Sequence, residues 1–196
     1  MTKIKLCGLS RIEEIEAANE LKPEYIGFVF APKSRRYVAP ETAAELKKQL
    51  SGEIQAAGVF VNESVEKIAE LLNDHIIDIA QLHGDEDEDY IKRLRQLKAF
   101  QVKSEKEIAD ARQCSADYIL LDSGAGTGTV FDWNILKKID RPYFLAGGLS
   151  AGNVGKAVKE LHPFAVDVSS GIETERRKDK EKMAAFVAVV RKEETL

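Results

Sequence analysis

The chain has 196 residues, 44% of them hydrophobic and 32% charged, and carries a formal net charge of −4. That suffices for one sizeable core and leaves little room for insertions, while interspersed acids and bases exclude the basic stripe that nucleic-acid binding needs. No apolar run approaches a bilayer span, and Met1-Thr2-Lys3-Ile4 enters a strand without a signal-peptide core, so a cytoplasmic protein with neither membrane nor nucleic-acid partner is expected.

Eight short apolar runs follow in order: Ile4–Cys7, Tyr25–Phe30, Ala56–Phe60, Ile77–Leu82, Phe100–Lys103, Tyr118–Asp122, Tyr143–Gly147 and Phe164–Ser169. They start roughly 18 to 30 residues apart, the spacing of a repeated βα unit. Between them, Arg11–Asn19, Glu41–Gln49, Val65–Leu72 and Glu88–Leu97 place apolar residues three and four apart among charges, which predicts helices with one sheet-facing side. An open doubly wound sheet makes the same alternation, but eight units favour closure. The expected architecture is a single (β/α)8 TIM barrel spanning 1–196. Its parallel strands would bring their C-terminal ends to one rim, so strand-end residues carry the functional reading.

The first strand ends at Cys7, followed by Gly8, which would leave the sulfur accessible at the rim. A lone cysteine is more often a small core residue, but the eighth strand and its loop would lie beside this one. With Cys114 in a polar loop or helix end, a structural disulfide is not expected. The acidic run Asp85–Asp89 opens a helix and, like the mixed run Glu173–Lys182, reads as a solvated face. His75, His83 and His162 show no metal-ligand spacing, so no metal is expected.

Asp122 ends the sixth strand. The next helix begins near Phe131-Asp132-Trp133, where Asp132 suits the cap, so Asp122 is available for chemistry. Cationic or helix-terminal neighbours would draw Cys7 toward its thiolate, pairing a base with an acid. The loop Gly124-Ala125-Gly126-Thr127-Gly128-Thr129 has the freedom to close over a ligand, or is plain connection. Ala146-Gly147-Gly148-Leu149-Ser150 and Val166-Asp167-Val168-Ser169-Ser170-Gly171 end strands seven and eight in small residues. Barrels commonly hold a phosphate at these two loops, so a phosphorylated small-molecule substrate is expected.

Taken in order, Lys5-Leu6-Cys7-Gly8, Gly27-Phe28-Val29-Phe30, Pro32-Lys33-Ser34-Arg35-Arg36-Tyr37, Gly58-Val59-Phe60-Val61-Asn62, Gln81-Leu82-His83-Gly84, Leu121-Asp122, Phe131-Asp132-Trp133 and the two small-residue segments resemble the phosphoribosylanthranilate isomerases over nearly the whole chain. The resemblance implies an enzyme of tryptophan biosynthesis. Its reaction is a cofactor-free Amadori rearrangement of N-(5-phosphoribosyl)anthranilate to 1-(2-carboxyphenylamino)-1-deoxyribulose 5-phosphate.

It further implies Asp122 as general acid, Cys7 as general base and Arg36 on the anthranilate carboxylate. Asp167 would meet a ribose hydroxyl, His83 would line the pocket, and Gly147, Gly148, Ser169, Ser170 and Gly171 would hold the phosphate. Glu175-Arg176-Arg177 departs from the pattern, standing where the family often carries glycine. Oligomeric state stays open between monomer and homodimer.

Two alternatives stand beside this one. Another phosphosugar epimerase or lyase would need metal ligands or a rim lysine, for which Lys103 is the obvious candidate. A catalytically silent barrel would bind a phosphorylated metabolite as a regulator.

Overall fold

The computed structural model describes residues 1–94, 96–122 and 133–193. Eight strands pair in parallel in chain order and close into a barrel: β1 Lys3–Cys7, β2 Tyr25–Val29, β3 Gln55–Phe60, β4 Ile79–Leu82, β5 Gln96–Gln101, β6 Tyr118–Asp122, β7 Tyr143–Ala146 and β8 Ala165–Val168. Closure is made by β8 against β1, with Lys5 directly opposite Asp167. An open sheet is thereby excluded. The helices are α1 Ile12–Leu21, α2 Pro40–Gln49, α3 Val65–Asn73, α4 Glu88–Ile91, α5 Glu105–Gln113, α6 Val154–Leu161 and α7 Lys180–Glu193. Short 3-10 turns occupy Trp133–Lys138 and Ser170–Ile172, and a small hairpin pairs β9 Glu173–Thr174 with β10 Arg177–Lys178. The expected loop Gly124–Thr129 and the cap at Asp132 lie outside the described residues.

Strands buried on both faces read as continuous apolar runs, and their side chains alternate between two cores. Ile4, Leu6, Ile26, Phe28, Phe60, Leu121 and Val166 point outward into the main core with the helices. Tyr25, Leu97, Leu120, Phe144 and Ala165 fill the barrel interior. Each such large side chain contributes about 1.5–3 kcal/mol by burial. Near the strands' N-terminal ends the interior is stopped by aromatics. Tyr118 stacks on Phe164 at 5.3 Å, and Lys3 Nζ lies 4.6 Å from the Phe164 ring centre. The opposite mouth is where a ligand can enter.

The fourth unit departs from the expected pattern. α4 stops at Ile91 and β5 begins at Gln96, where the sequence predicts helix through Leu97 and a strand only from Phe100. The cause is Lys98. Leu97 and Ala99 face the interior, while Lys98, between them, is buried on the outer side with Nζ 2.7 Å from Glu86 Oε2. A charge inside a strand made the run look like one side of an amphipathic helix. The same pair corrects the solvated reading of Asp85–Asp89, since Glu86 is buried and also accepts from the backbone N–H groups of Asn62 and Gly84. Asp87 does cap α4, accepting from Tyr90 N at 2.8 Å.

Candidate active site

Period-two alternation carries Cys7 at the end of β1, His83 just after β4, Asp122 at the end of β6, and Asp167 and Ser169 on and after β8 to the same mouth. They line one cleft of about 440 Å³, together with Arg36, Gly147, Gly148 and Ser170. Gly171, expected at the phosphate, lies outside that lining and packs against the Leu149 backbone.

Cys7 is 7% exposed. Gly27 faces it across the β1–β2 ladder, and a Cβ there would stand 2.6 Å from the sulfur, so the thiol occupies the space that glycine vacates. Gly8 serves a different purpose from the one expected: at φ +82° it clears the path of Arg36, whose Cδ would be 2.5 Å from an added Cβ. Burial pushes the Cys7 thiol above its ordinary 9.0; Lys5 pulls it down, Asp167 pushes it up and Lys178 pulls it down. The cations expected to favour the thiolate are therefore present, but desolvation outweighs them and the resting group is a thiol.

Two of these side chains, Lys5 and Lys178, were not legible as site residues. Lys5 is fully buried in the barrel, with Nζ 2.8 Å from Gln81 Oε1 and 3.0 Å from Asp167 Oδ1. Burial works against its charge, yet Asp167 and Cys7 hold its pKa above the ordinary 10.5. Lys178 donates to the Ser169 carbonyl at 2.9 Å, to Ser169 Oγ at 3.2 Å and to Glu173 Oε1 at 2.9 Å. Ser169 Oγ in turn donates to the Cys7 carbonyl at 3.0 Å. The available signal was parity: Lys5 stands two residues before Cys7, and Gln81 two before His83, so each pair shares a strand face. Lys103, the lysine singled out from sequence, is exposed and outside the cleft lining.

Glu173 overturns the solvated reading of Glu173–Lys182. Its Oε1 accepts from Arg36 Nε at 2.6 Å, its Oε2 from Arg36 Nη2 at 3.3 Å, and Arg35 also pairs with it. Burial alone would raise its pKa, but Arg36, Arg35 and Lys178 together bring it down to about 2. Arg36 thus reaches the cleft with its guanidinium already oriented.

His83 Nδ1 lies 3.2 Å from Gln81 Nε2. Burial lowers its pKa below the ordinary 6.5, against the opposing pull of Asp122 and Asp167, so the ring is neutral at pH 7. After β7, Gly147 at φ +93° and Gly148 at φ +60° make a turn that favours glycine. Asn153 shapes it, donating from Nδ2 to the Gly148 carbonyl at 3.0 Å and accepting at Oδ1 from Ser150 N at 2.8 Å. The result is a cleft with an acid, a thiol, a neutral imidazole, an oriented guanidinium and two small-residue loops.

Among the described residues, no group of three or more His, Cys, Asp or Glu side chains could hold a metal ion, and both cysteines are free. No described helix is long and apolar enough to cross a membrane.

The family model described as N-(5′-phosphoribosyl)anthranilate (PRA) isomerase matches residues 4–189. The N-(5′-phosphoribosyl)anthranilate isomerase of Thermoanaerobacter pseudethanolicus is 45% identical over 97% of this chain and 98% of its own. A crystal structure of phosphoribosyl anthranilate isomerase from Thermotoga maritima superposes with a TM-score of 0.90 at 34% identity, covering 98% of this chain and all of that one. A second solved phosphoribosyl anthranilate isomerase, in complex with reduced 1-(o-carboxyphenylamino)-1-deoxyribulose 5-phosphate, superposes with a TM-score of 0.87 at 34% identity over the same shares. With a family model over most of its length and a 45% identical relative over nearly all of it, the chain belongs to the N-(5′-phosphoribosyl)anthranilate isomerase family.

Proposed function

We infer that this chain, as one catalytic barrel, isomerises N-(5-phosphoribosyl)anthranilate to 1-(2-carboxyphenylamino)-1-deoxyribulose 5-phosphate with Asp122 as general acid and Cys7 as general base. The observation that carries this reading is that a carboxyl from β6 and a thiol from β1 line one cleft beside the β7 and β8 loops. Asp122 protonates the ribose ring oxygen, the bond from that oxygen to the anomeric carbon breaks, and the ring opens to a Schiff base. Cys7, as thiolate, removes the proton from the adjacent carbon. The electron pair moves to the iminium nitrogen, and the resulting enolamine tautomerises to the ketone. The substrate's own nitrogen is the electron sink, so the proton transfers need only these two side chains.

Arg36 faces the anthranilate carboxylate, with Glu173 holding its fork in place. Asp167 meets a ribose hydroxyl, and Gly147, Gly148, Ser169 and Ser170 cradle the phosphate. Gly171 supports that cradle through Leu149.

Loss of substrate fluorescence by the purified protein, unchanged by chelator, is the expected activity. Cys7→Ser and Asp122→Asn should each lower kcat by about a hundredfold or more while the melting transition stays cooperative. Near-native rates in both variants would refute the assignment, and no turnover by the intact protein would favour the silent binder.

A further inference from the structure

Lys5 is fully buried and bonded to both Gln81 and Asp167, yet the mechanism above gives it no proton to move. An ammonium can only donate. Gln81 must therefore turn its amide oxygen to Lys5, and that is the geometry seen, at 2.8 Å. The amide's other end is an NH2 group, which also can only donate, and it lies 3.2 Å from His83 Nδ1. Nδ1 must then be the acceptor. We propose that Lys5, acting through Gln81, locks His83 as the neutral tautomer protonated at Nε2, so that the proton it offers a ligand in the cleft is the one on Nε2.

Each link has a single allowed polarity, so the chain from ammonium to amide to imidazole has one solution. Burial of the ring and its lowered pKa agree with a neutral imidazole. Burial works against the charge on Lys5, but Asp167 outweighs it and keeps the first donor charged. Lys5 and Gln81 are thus positioning residues, and His83 becomes a fixed donor toward an anionic part of the substrate. Only that last clause rests on the isomerase reading; the tautomer does not.

Two-bond proton–nitrogen correlation spectra of the nitrogen-15-labelled full chain read the tautomer, with His83→Gln assigning the signal among three histidines. The expected spectrum shows a bare Nδ1 and a protonated Nε2. In Gln81→Glu, one carboxylate oxygen still accepts from Lys5 while the other faces Nδ1 and can only accept, so the ring's single proton should move from Nε2 to Nδ1 and leave Nε2 bare. KM should then rise about tenfold to a hundredfold with a smaller change in kcat, the loss of a hydrogen bond to a charged group.

A wild-type Nδ1–H signal, or a His83 spectrum identical in Gln81→Glu, would overturn the proposal. Should Gln81→Glu fail to fold, Gln81→Met serves, because it removes the lock and should give mixed tautomers; an unmixed Nε2–H spectrum there would also overturn it. The expected spectra in a protein that does not turn over the substrate would uphold the tautomer lock and refute the isomerase reading alone.

Discussion

The Cys7 sulfur occupies a space that one neighbouring residue leaves open. Gly27→Ala would put a methyl 2.6 Å from that sulfur, and neither the strand ladder nor the buried thiol can yield cheaply. Overpacking of this kind costs about 1–3 kcal/mol and displaces the base. The expected outcome is a lowered urea midpoint and a kcat reduced about tenfold or more; an unchanged kcat would show that the thiol's position is not critical. Burial also sets how Cys7 responds to pH. Because burial holds the free thiol's pKa above 9.0 and only the thiolate is nucleophilic, alkylation of Cys7 by iodoacetamide, followed in Cys114→Ser, should climb with pH and keep climbing past 9.0. A plateau well below that value would show that the cations beside Cys7 outweigh its burial.

Cys7, Asp122, His83 and Asp167 were legible because each ends or nearly ends an apolar run, and strand ends share a rim. Lys5, Lys178 and Glu173 were not, since an isolated charge in a sequence reads as solvated unless its partner, here more than a hundred residues away for Lys5 and Asp167, is known.

The hairpin β9–β10 shows how an element can be built against local preference. Its two turn residues, Glu175 at φ +49° and Arg176 at φ +66°, both adopt the left-handed conformation. Two-residue turns of this type favour glycine or asparagine, because a Cβ costs about 1–2 kcal/mol there. Arg176→Gly should therefore raise the urea midpoint by roughly 0.5–1 kcal/mol of stability, the strain relieved less the added freedom of the unfolded glycine. The Arg35 contact to the Arg176 carbonyl uses backbone and survives the change. A lower midpoint would mean that the arginine side chain stabilises more than its conformation costs.

Most of the barrel was readable as strand runs, with ends shifted by a residue or two, because strands buried on both faces leave a continuous apolar trace. The β4–β5 unit was not. There the outward position that would normally be apolar is Lys98, tolerated only because Glu86 neutralises it, and Leu94 and Leu97 then mimic helical spacing.

At the scale of the whole molecule, carboxylates tie the rim loops together and set how it resists acid. Glu173, in the segment after β8, grips Arg35 and Arg36 from the loop after β2, and Glu86 joins the turns after β3 and β4 to β5 through Lys98. Glu173 titrates at about 2 in the folded chain against 4.5 ordinarily, and the pKa of Glu86 is also lowered, because its bonds to Lys98 and Asn62 N outweigh burial. For a lowered carboxylate the folded state binds fewer protons than the unfolded chain. Its stabilisation is therefore complete above 4.5 and is lost as pH falls toward about 2.

Glu173→Gln should lower the urea midpoint at neutral pH and flatten the loss of stability across that window. The remaining acid limb in the variant belongs to Glu86 and other carboxylates. Arg36, released from its anchor, should at the same time raise KM more than it lowers kcat. A variant with the wild-type acid limb and unchanged KM would show that Glu173 neither carries the acid sensitivity nor holds the guanidinium in register with the cleft.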